Sequence, residues 1–223
     1  MYDIFFLSHG ESIADLNWQE FTSKYENLPH ARRVDGIDGI LNAHKYCAAL
    51  SRTSNFFVID ADNEVLDVDF SIKLSIYDKN YVHIWKAKNP MNDLVYGWGG
   101  IKLFPKKLLL KLDYMPLDMT TSFPLKIMSE LGSITHFNTS AFDTWRSAFR
   151  ECVKLSRNDD KESNKRLNVW CSVAHGPYSD WCLAGACAGR EHGVKYKNDP
   201  DMLMKINDWA WLEKKFEDVK KSS

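Results

Sequence analysis

The sequence has almost no surplus charge and none of the features that mark a membrane or fibrous chain. Its formal net charge of -1 gives no overall attraction to nucleic acid or to an acidic membrane, so such a partner requires a local basic patch. The apolar run in MYDIFFLS is short and contains an acidic residue, so it is neither a signal peptide nor a membrane span. Internal repeats and low-complexity linkers are absent as well. The composition that remains is that of an ordinary globular protein, and no membrane partner is expected.

The cysteines lack the spacing of a metal site or of a disulfide framework. They are odd in number, and no two of them form a CxxC pair. Most lie in apolar stretches, which predicts reduced, buried thiols in a cytoplasmic protein. The five are Cys47, Cys152, Cys171, Cys182 and Cys187.

The first third of the chain alternates between strand and helix patterns. Strands are predicted at Tyr2–Ser8, Ala31–Val34 and Asn55–Asp60, and helices at Ala14–Tyr25 and Ile37–Ser51. This order predicts a parallel sheet with right-handed crossovers. Ligands of such sheets gather beyond the carboxyl ends of the strands, so residues at those ends are candidates for a site.

The rest of the chain changes character twice. Short strands at Phe70–Leu74, Tyr81–Lys86 and Gly100–Phe104 predict a mixed or antiparallel extension of the sheet. After Phe142 the pattern is helical almost to the end.

These patterns together predict an α/β fold in a single domain of residues 1–223. Residues 1–140 are expected to form the α/β core and residues 141–223 the helical C-terminal part.

The stretch NFFVIDADNEV ends a hydrophobic strand on two carboxylates one residue apart. Side chains alternate along a strand, so Asp60 and Asp62 are expected to project to the same side, where they repel unless they share a proton or hold a cation. Hard oxygen ligands favour Mg²⁺ or Mn²⁺, which completes its shell with phosphates and water when few protein groups bind it. The natural ligand is then a diphosphate. The alternative is that Asp60 caps a turn and that Asp62 is merely solvated.

The segment YGWGG is the second candidate for ligand contact. Gly99 and Gly100 allow the backbone to turn sharply and to approach a ligand closely, and the indole of Trp98 offers a flat face on which a sugar or base can stack. A glycine-rich strand junction with a core tryptophan explains the same residues equally well.

Transfer of a group to a hydroxyl acceptor can need a carboxylate that takes the proton from that hydroxyl. Asp93 in NPMNDL and Asp118 in PLDMTTS are the candidates for this catalytic base, each in a polar stretch between apolar segments. Asp93 ranks first because it lies closer to the glycine segment. Either residue can instead be a turn-forming aspartate.

Three basic side chains in the second half are further candidates. Arg146 and Arg150 are four residues apart on one helix, so they can act together on a phosphate, unless they form salt bridges with neighbours such as Asp143. His136, in SITHFNTS, is a candidate third metal ligand, and the alternative is an ordinary hydrogen-bonded histidine.

The segments YDIFFLS, RRVDGIDGILNAHKYCAAL and FFVIDADNEV resemble the GT-A fold of nucleotide-sugar-dependent glycosyltransferases. In that family the first strand and the loop after the second receive the nucleotide, and a DxD after a hydrophobic strand binds its diphosphate through a metal. The resemblance therefore implies a GT-A-like (Rossmann-like), mixed but mainly parallel sheet flanked by helices. It also implies nucleotide contacts at Ser8 and Asp35 and a metal-diphosphate site at Asp60 and Asp62.

The runs VHIWKAKNPMNDLVYGWGGIKLFPK, DMTTSF and FNTSAFDTWRSAFRECVKL are similar to a group of small glycosyltransferase-like proteins of tailed bacteriophages. Some phage enzymes of this type glycosylate hydroxymethylated cytosines in viral DNA, including with arabinose. YGWGG is also similar to an acceptor-site motif of some galactosyltransferases. It continues with Ile101 and Lys102, where those enzymes carry acidic residues.

The expected function is a metal-dependent transfer of a sugar from a nucleoside diphosphate donor, with a UDP-sugar favoured, to hydroxymethylcytosine in phage DNA within the host cytoplasm. A glycosyltransferase acting on a protein or glycan, and a non-catalytic binding module, are the alternatives. A nucleotidyltransferase is disfavoured, because SHGESIADLN has one glycine and no lysine, whereas a phosphate-cradling loop usually contains several glycines and a lysine.

Overall fold

The computed structural model describes residues 1–28, 30–97 and 99–222. The chain divides into two compact units. The first, here called the sheet unit, contains Met1–Asn89 and Val95–His136. The second, here called the helical unit, contains Pro90–Leu94 and the residues from Phe137 onward.

The sheet unit contains one mixed sheet of eight strands in the described residues. The strands are β1 (Asp3–Ser8), β2 (Ala31–Asp35), β3 (Asn55–Asp60), β4 (Asn63–Val65), β5 (Val82–Lys88), β6 (Val95–Tyr96), β7 (Ile101–Pro105) and β8 (Leu125–Thr135). The helices of this unit are α1 (Ala14–Lys24), α2 (Ile40–Leu50) and α3 (Lys106–Leu110).

The strand order is β2-β1-β3-β7-β5-β8-β4, and β6 pairs with β5 beside this path. β1 is parallel to both β2 and β3, and β5 is parallel to β8, whereas β7 is antiparallel to β3 and β5. Five strands therefore run in one direction, and β4, β6 and β7 run in the other. The predicted mixed α/β sheet is confirmed.

Helices cover both faces of the sheet because the central strands are apolar on both sides. On the face that packs against α1, Ile4 and Phe6 of β1 join Phe21 of the helix in one buried cluster. On the opposite face, Phe5 of β1 packs with Cys47 of α2. These two sides are called the α1 face and the α2 face. Fully burying one such phenylalanine contributes about 1.5–3 kcal/mol, so the two clusters dominate the stability of this unit.

The helical unit contains five α-helices in its described residues. They are α4 (Ala141–Leu155), α5 (Lys161–Trp170), α6 (Ser179–Lys195), α7 (Pro200–Met204) and α8 (Trp209–Ser222). α4 begins at a serine cap, because the Oγ atom of Ser140 accepts a hydrogen bond from the backbone N–H of Asp143.

Helices α4 and α6 pack backbone against backbone. A Cβ atom added at Gly185 would lie 2.3 Å from the carbonyl oxygen of Trp145, and one added at Gly189 would lie 2.3 Å from that of Phe149. Gly193, one turn further, is equally enclosed. The three glycines are spaced four residues apart, so they line one face of α6 and allow this close approach.

In the middle of the sheet unit, one predicted strand is wrong and one observed strand was missed. Phe70–Leu74 is not a strand; Phe70 is buried among Phe21, Tyr25 and Phe57, so its apolar character serves an aromatic cluster. The long strand β8 was not predicted. By contrast, β3 has the predicted bounds.

Among the described residues, none of the helices is long and apolar enough to cross a bilayer.

Candidate functional site

The parallel strands β1, β2 and β3 end side by side, and their last residues define a carboxyl edge of the sheet. Ser8 of β1 is paired with Asp35 of β2, and Leu7 is paired with Asp60 of β3. Neighbouring strands lie about 4.8 Å apart, so the three strand ends fall within about 10 Å of one another. The predicted residues Ser8, Asp35 and Asp60 therefore meet at one edge, and Asp62 follows in the turn after β3.

Ser8 and Asp35 form a polar cluster on the α1 face. The Oγ atom of Ser8 donates a hydrogen bond to the Oδ1 atom of Asp35 at 2.5 Å and accepts one from the Nε atom of Arg33 at 3.1 Å. The guanidinium of Arg33 also pairs with Asp15 of α1. Ser8 is buried and Asp35 is exposed, so the serine fixes a carboxylate that solvent or a ligand can reach. Arg33 was not among the predicted site residues.

Asp60 carries a lysine partner on the opposite, α2 face. The Nζ atom of Lys102 in β7 lies 2.7 Å from the Oδ2 atom of Asp60. The lysine side chain is only 10% exposed and the aspartate 37%. An ammonium that is this buried requires a hydrogen-bonded counter-charge, so the pair is a fixed feature of the edge. Lys102 was not among the predicted site residues.

The turn after β3 is held by Asn63. Its Nδ2 atom donates to the Oδ1 atom of Asp62 at 2.6 Å, and its Oδ1 atom accepts from the hydroxyls of Ser133 and Thr135, both at 2.8 Å. Because Asn63 is almost fully buried, these bonds orient the Asp62 carboxylate from within the protein.

Two of the three glycines of YGWGG, Gly99 and Gly100, are packed closely against other parts of the sheet unit. A Cβ atom at Gly100 would lie 2.0 Å from the Nδ2 atom of Asn63, and the carbonyl of Gly100 accepts a 2.8 Å hydrogen bond from the backbone N–H of Asp60. A Cβ atom at Gly99 would lie 2.7 Å from the carbonyl oxygen of Trp85. The close approach at these positions is thus made by protein atoms, and the ligand contact proposed for them stays a prediction. Trp98 lies outside the described residues.

His44 of α2 is buried near the Asp60–Lys102 pair. Its Nδ1 atom lies 2.8 Å from the carbonyl oxygen of Ile40, so Nδ1 carries the proton and donates. Its ring meets that of Phe104 edge to face. Burial lowers the pKa of His44 to about 4; the charge of Asp60 opposes this shift and that of Lys102 adds to it. The ring is therefore neutral at pH 7.

We expect the protein to lose stability as the pH falls from about 6.5 to about 4, because the unfolded chain binds a proton that folded His44 refuses. The full loss from this residue is about 3 kcal/mol. It is measured as the difference in urea-unfolding free energy between pH 7 and pH 4.5, compared with a His44→Phe variant. His83 and His192 titrate in both proteins, so a variant with an unchanged pH dependence would contradict the assignment.

Asp60 and Asp62 are the predicted ligands of a divalent ion that takes most of its shell from elsewhere, and this assignment stays a prediction. Asp60 and Asp62 supply hard oxygen atoms, as Mg²⁺ and Mn²⁺ prefer, and phosphate and water can complete such a shell. Within the described ranges, no three His, Cys, Asp or Glu side chains are grouped to hold a metal ion. The ring of His136 lies 2.8 Å from the Oε2 atom of Glu64. Its assignment as a third ligand stays a prediction.

The two candidate catalytic bases lie in different units. Asp118, in the sheet unit, accepts hydrogen bonds from the backbone N–H groups of Thr120 and Thr121, so it caps a short turn. Asp93, in the helical unit, has a left-handed backbone with φ of 57°, and its Oδ2 atom lies 3.8 Å from the Nε2 atom of His175. Asp118 therefore has a turn-capping role and Asp93 lies near a histidine, and the catalytic role of each carboxylate stays a prediction.

Arg146 and Arg150 lie in α4 of the helical unit. The guanidinium of Arg146 donates to Asp143 at 3.2 Å and stacks 3.8 Å above the ring of Trp209. Arg150 donates to Asn207 at 3.1 Å. The salt bridge to Asp143 is the alternative that the sequence left open, and phosphate binding by the two arginines stays a prediction.

Comparisons with known proteins add little to this picture. No protein-family model matches the chain, and no curated protein is significantly similar to it. A solved structure that is similar to part of the chain is that of HddC from Yersinia pseudotuberculosis. The two are 11% identical, the match covers 59% of this chain and 92% of the other, and the TM-score is 0.39. A structural similarity this low gives no information about the activity of this protein.

Proposed function

We propose that the protein is a GT-A-type glycosyltransferase that takes a sugar from a nucleoside diphosphate donor at the carboxyl edge of its sheet. The observation that carries the proposal is that Ser8, Asp35 and Asp60 end three adjacent parallel strands at one edge of the sheet, with Asp62 in the next turn. Ser8 and Asp35 lie on the α1 face of that edge and Asp60 on the α2 face. Crevices beyond such strand ends are where open α/β sheets bind nucleotides. The resemblance of the N-terminal segments to glycosyltransferases assigns the same residues to the donor.

The diphosphate is assigned to the end of β3. Asp60 and Asp62 would hold Mg²⁺ or Mn²⁺, which when bound neutralises charge on the leaving nucleoside diphosphate. Lys102 offers a second positive charge at the same place, 2.7 Å from Asp60. Asn63 orients Asp62 through its amide, so this carboxylate is set before the donor arrives.

The nucleoside is assigned to the Ser8–Asp35 cluster. An exposed carboxylate next to a strand end can accept hydrogen bonds from ribose hydroxyls or from a base N–H. The bond from Ser8 holds the Asp35 carboxylate in one orientation, and Arg33 braces the serine from the other side. The base, with uridine favoured, follows from the resemblance.

The proposed acceptor is hydroxymethylcytosine in phage DNA. Its hydroxymethyl group projects into the major groove, and reaching a buried site can require extrusion of the nucleotide. Support comes from the resemblance to phage proteins. Of the lysines near β7, Lys102 is paired with Asp60 and Lys106 donates to the carbonyl of Ser51, which leaves the exposed Lys107 and Lys111 as candidate phosphate contacts.

The test is release of nucleoside diphosphate from a panel of UDP- and GDP-sugars, including UDP-arabinose, with Mg²⁺, Mn²⁺ or EDTA. We expect Asp62→Asn to lower turnover at least about 100-fold, as is typical when a group that stabilises leaving-group charge is removed. Asp67→Asn makes the same change at an exposed carboxylate just after β4, so it is the matched control and should retain activity. A folded wild-type protein that turns over none of these donors would overturn the proposal.

The acceptor is tested separately by adding hydroxymethylcytosine DNA or unmodified DNA at several salt concentrations. Turnover stimulated only by the modified DNA, with an apparent affinity that falls steeply with salt, supports a DNA acceptor. Donor hydrolysis that no DNA stimulates would keep the glycosyltransferase and exclude this acceptor.

A further inference from the structure

The helical unit gathers four of the five cysteines, none of which is in a disulfide. Cys152 lies in α4, Cys171 follows α5 directly, and Cys182 and Cys187 lie in α6. The first and third are fully buried, Cys171 is half-buried and Cys187 is exposed. The close contact of α4 with α6 brings these thiols into one cluster. The proposed glycosyl transfer assigns no role to any of them.

Cys171 is the centre of this cluster. Its thiol interacts electrostatically with the thiols of Cys152 and Cys187 and with the guanidinium of Arg190, which lies three residues beyond Cys187 in α6. The Sγ atom of Cys187 also lies 3.9 Å from the main-chain oxygen of Cys171. The two accessible cysteines are thus direct neighbours, with a positive charge beside them.

The neighbours of Cys171 favour its ionised form. The interaction with Cys152, followed by those with Cys187 and Arg190, outweighs burial and lowers the pKa of Cys171 to about 6. Burial raises the pKa of Cys182 to about 12, and it raises the pKa values of Cys152 and Cys187 as well. The cluster therefore holds one thiolate among three thiols at pH 7, which is the arrangement of a reactive cysteine beside a resolving one.

We propose that Cys171 and Cys187 form a peroxide-sensitive dithiol site that closes to a disulfide. The Cys171 thiolate attacks one oxygen of hydrogen peroxide, the O–O bond breaks, and the hydroxide that leaves takes a proton to become water. The sulfur of Cys187 then attacks the resulting sulfenic acid, its thiol proton goes to the departing hydroxide, and a second water leaves. Two thiols and one peroxide thus give one disulfide and two waters. Exposure selects Cys187 over the buried Cys152 as the resolving residue.

The first test measures the reactivity of each thiol in the reduced full chain with iodoacetamide between pH 5 and pH 9. Trypsin would leave Cys171, Cys182 and Cys187 in one peptide, because residues 167–189 contain no lysine or arginine. Chymotrypsin, which cleaves after Tyr178 and Trp181, separates Cys171 from the peptide that carries Cys182 and Cys187, and fragment-ion spectra assign the label within that peptide. We expect half-maximal labelling of Cys171 near pH 6 and, at pH 7, a rate about tenfold above that of Cys187. Equal rates would overturn the proposal.

The second test maps disulfides after treatment with equimolar hydrogen peroxide. The wild type should give the Cys171–Cys187 linked peptide. Cys187→Ser changes an exposed position and should stop at a Cys171 sulfenic acid that dimedone traps, whereas the control Cys182→Ala should still form the disulfide. A link from Cys171 to Cys152, or no sulfenic acid in Cys187→Ser, would contradict the assignment. Neither result depends on the proposed transferase activity, because neither measurement uses a donor.

Discussion

Replacing Lys102 by methionine is expected to weaken the binding of nucleoside diphosphate by about 10- to 100-fold, the usual loss for one hydrogen bond to a charged group. Methionine keeps the length of the buried side chain and removes its ammonium. It leaves Asp60 without the counter-charge that now lies 2.7 Å away. Isothermal titration calorimetry with UDP and GDP, each with Mg²⁺ and with EDTA, measures the effect.

Two further variants separate binding from folding. Lys107→Met removes an exposed ammonium from α3 and should bind as the wild type does. The double variant Asp60→Asn/Lys102→Met removes both charges, so it should unfold at a higher temperature than Lys102→Met alone and still bind weakly. If Lys102→Met binds nucleoside diphosphates with wild-type affinity, the lysine serves only to neutralise Asp60.

Replacing Gly189 by alanine is expected to lower the free energy of unfolding by about 3 kcal/mol, although alanine is the better helix former by about 1 kcal/mol. The new methyl group would lie 2.3 Å from the carbonyl oxygen of Phe149. The obstacle is helix backbone, which cannot rotate away as a side chain can, so α4 and α6 would have to separate. Urea unfolding followed by circular dichroism measures the loss.

Glu191→Ala is the matched control, because Glu191 is an exposed residue of the same helix and should shift the unfolding free energy by less than about 0.5 kcal/mol. Gly185→Ala should resemble Gly189→Ala, since its methyl group would be equally close to Trp145. An alanine variant as stable as the wild type would show that the two helices can separate without loss.

Strands were predicted correctly where the local sequence pattern agrees with the environment of the strand in the folded protein. The apolar run of β3 is buried along its length and stops at Asp60, so the bounds of this strand could be predicted from the local sequence alone. β8 was missed because much of Leu125–Thr135 is exposed and mixes polar with apolar residues. Its place in the sheet depends on pairing with β5, and Gly132 lies directly against Trp85 there. Such a pairing has no signal within the strand itself.

The candidate site was predictable in part for the same reason. Ser8, Asp35 and Asp60 end strands that the sequence identified, so parallel pairing alone brings them to one edge. Lys102 follows Asp60 by 42 residues and contacts it only because β7 inserts antiparallel beside β3. A lysine between two apolar residues of a strand usually faces solvent, because side chains alternate, so nothing within β7 indicated its burial or its partner.

The membership of Pro90–Leu94 in the helical unit limits how the chain can be divided. The chain passes between its two units three times, at residues 89, 94 and 136, so no single cut separates them. Met91 is almost fully buried, and its carbonyl accepts a hydrogen bond from the backbone N–H of His175. A fragment that begins at Phe137 would lack this partner, and a fragment that ends at His136 would expose Met91. The helical unit therefore depends on covalent connection to the sheet unit to complete its own structure.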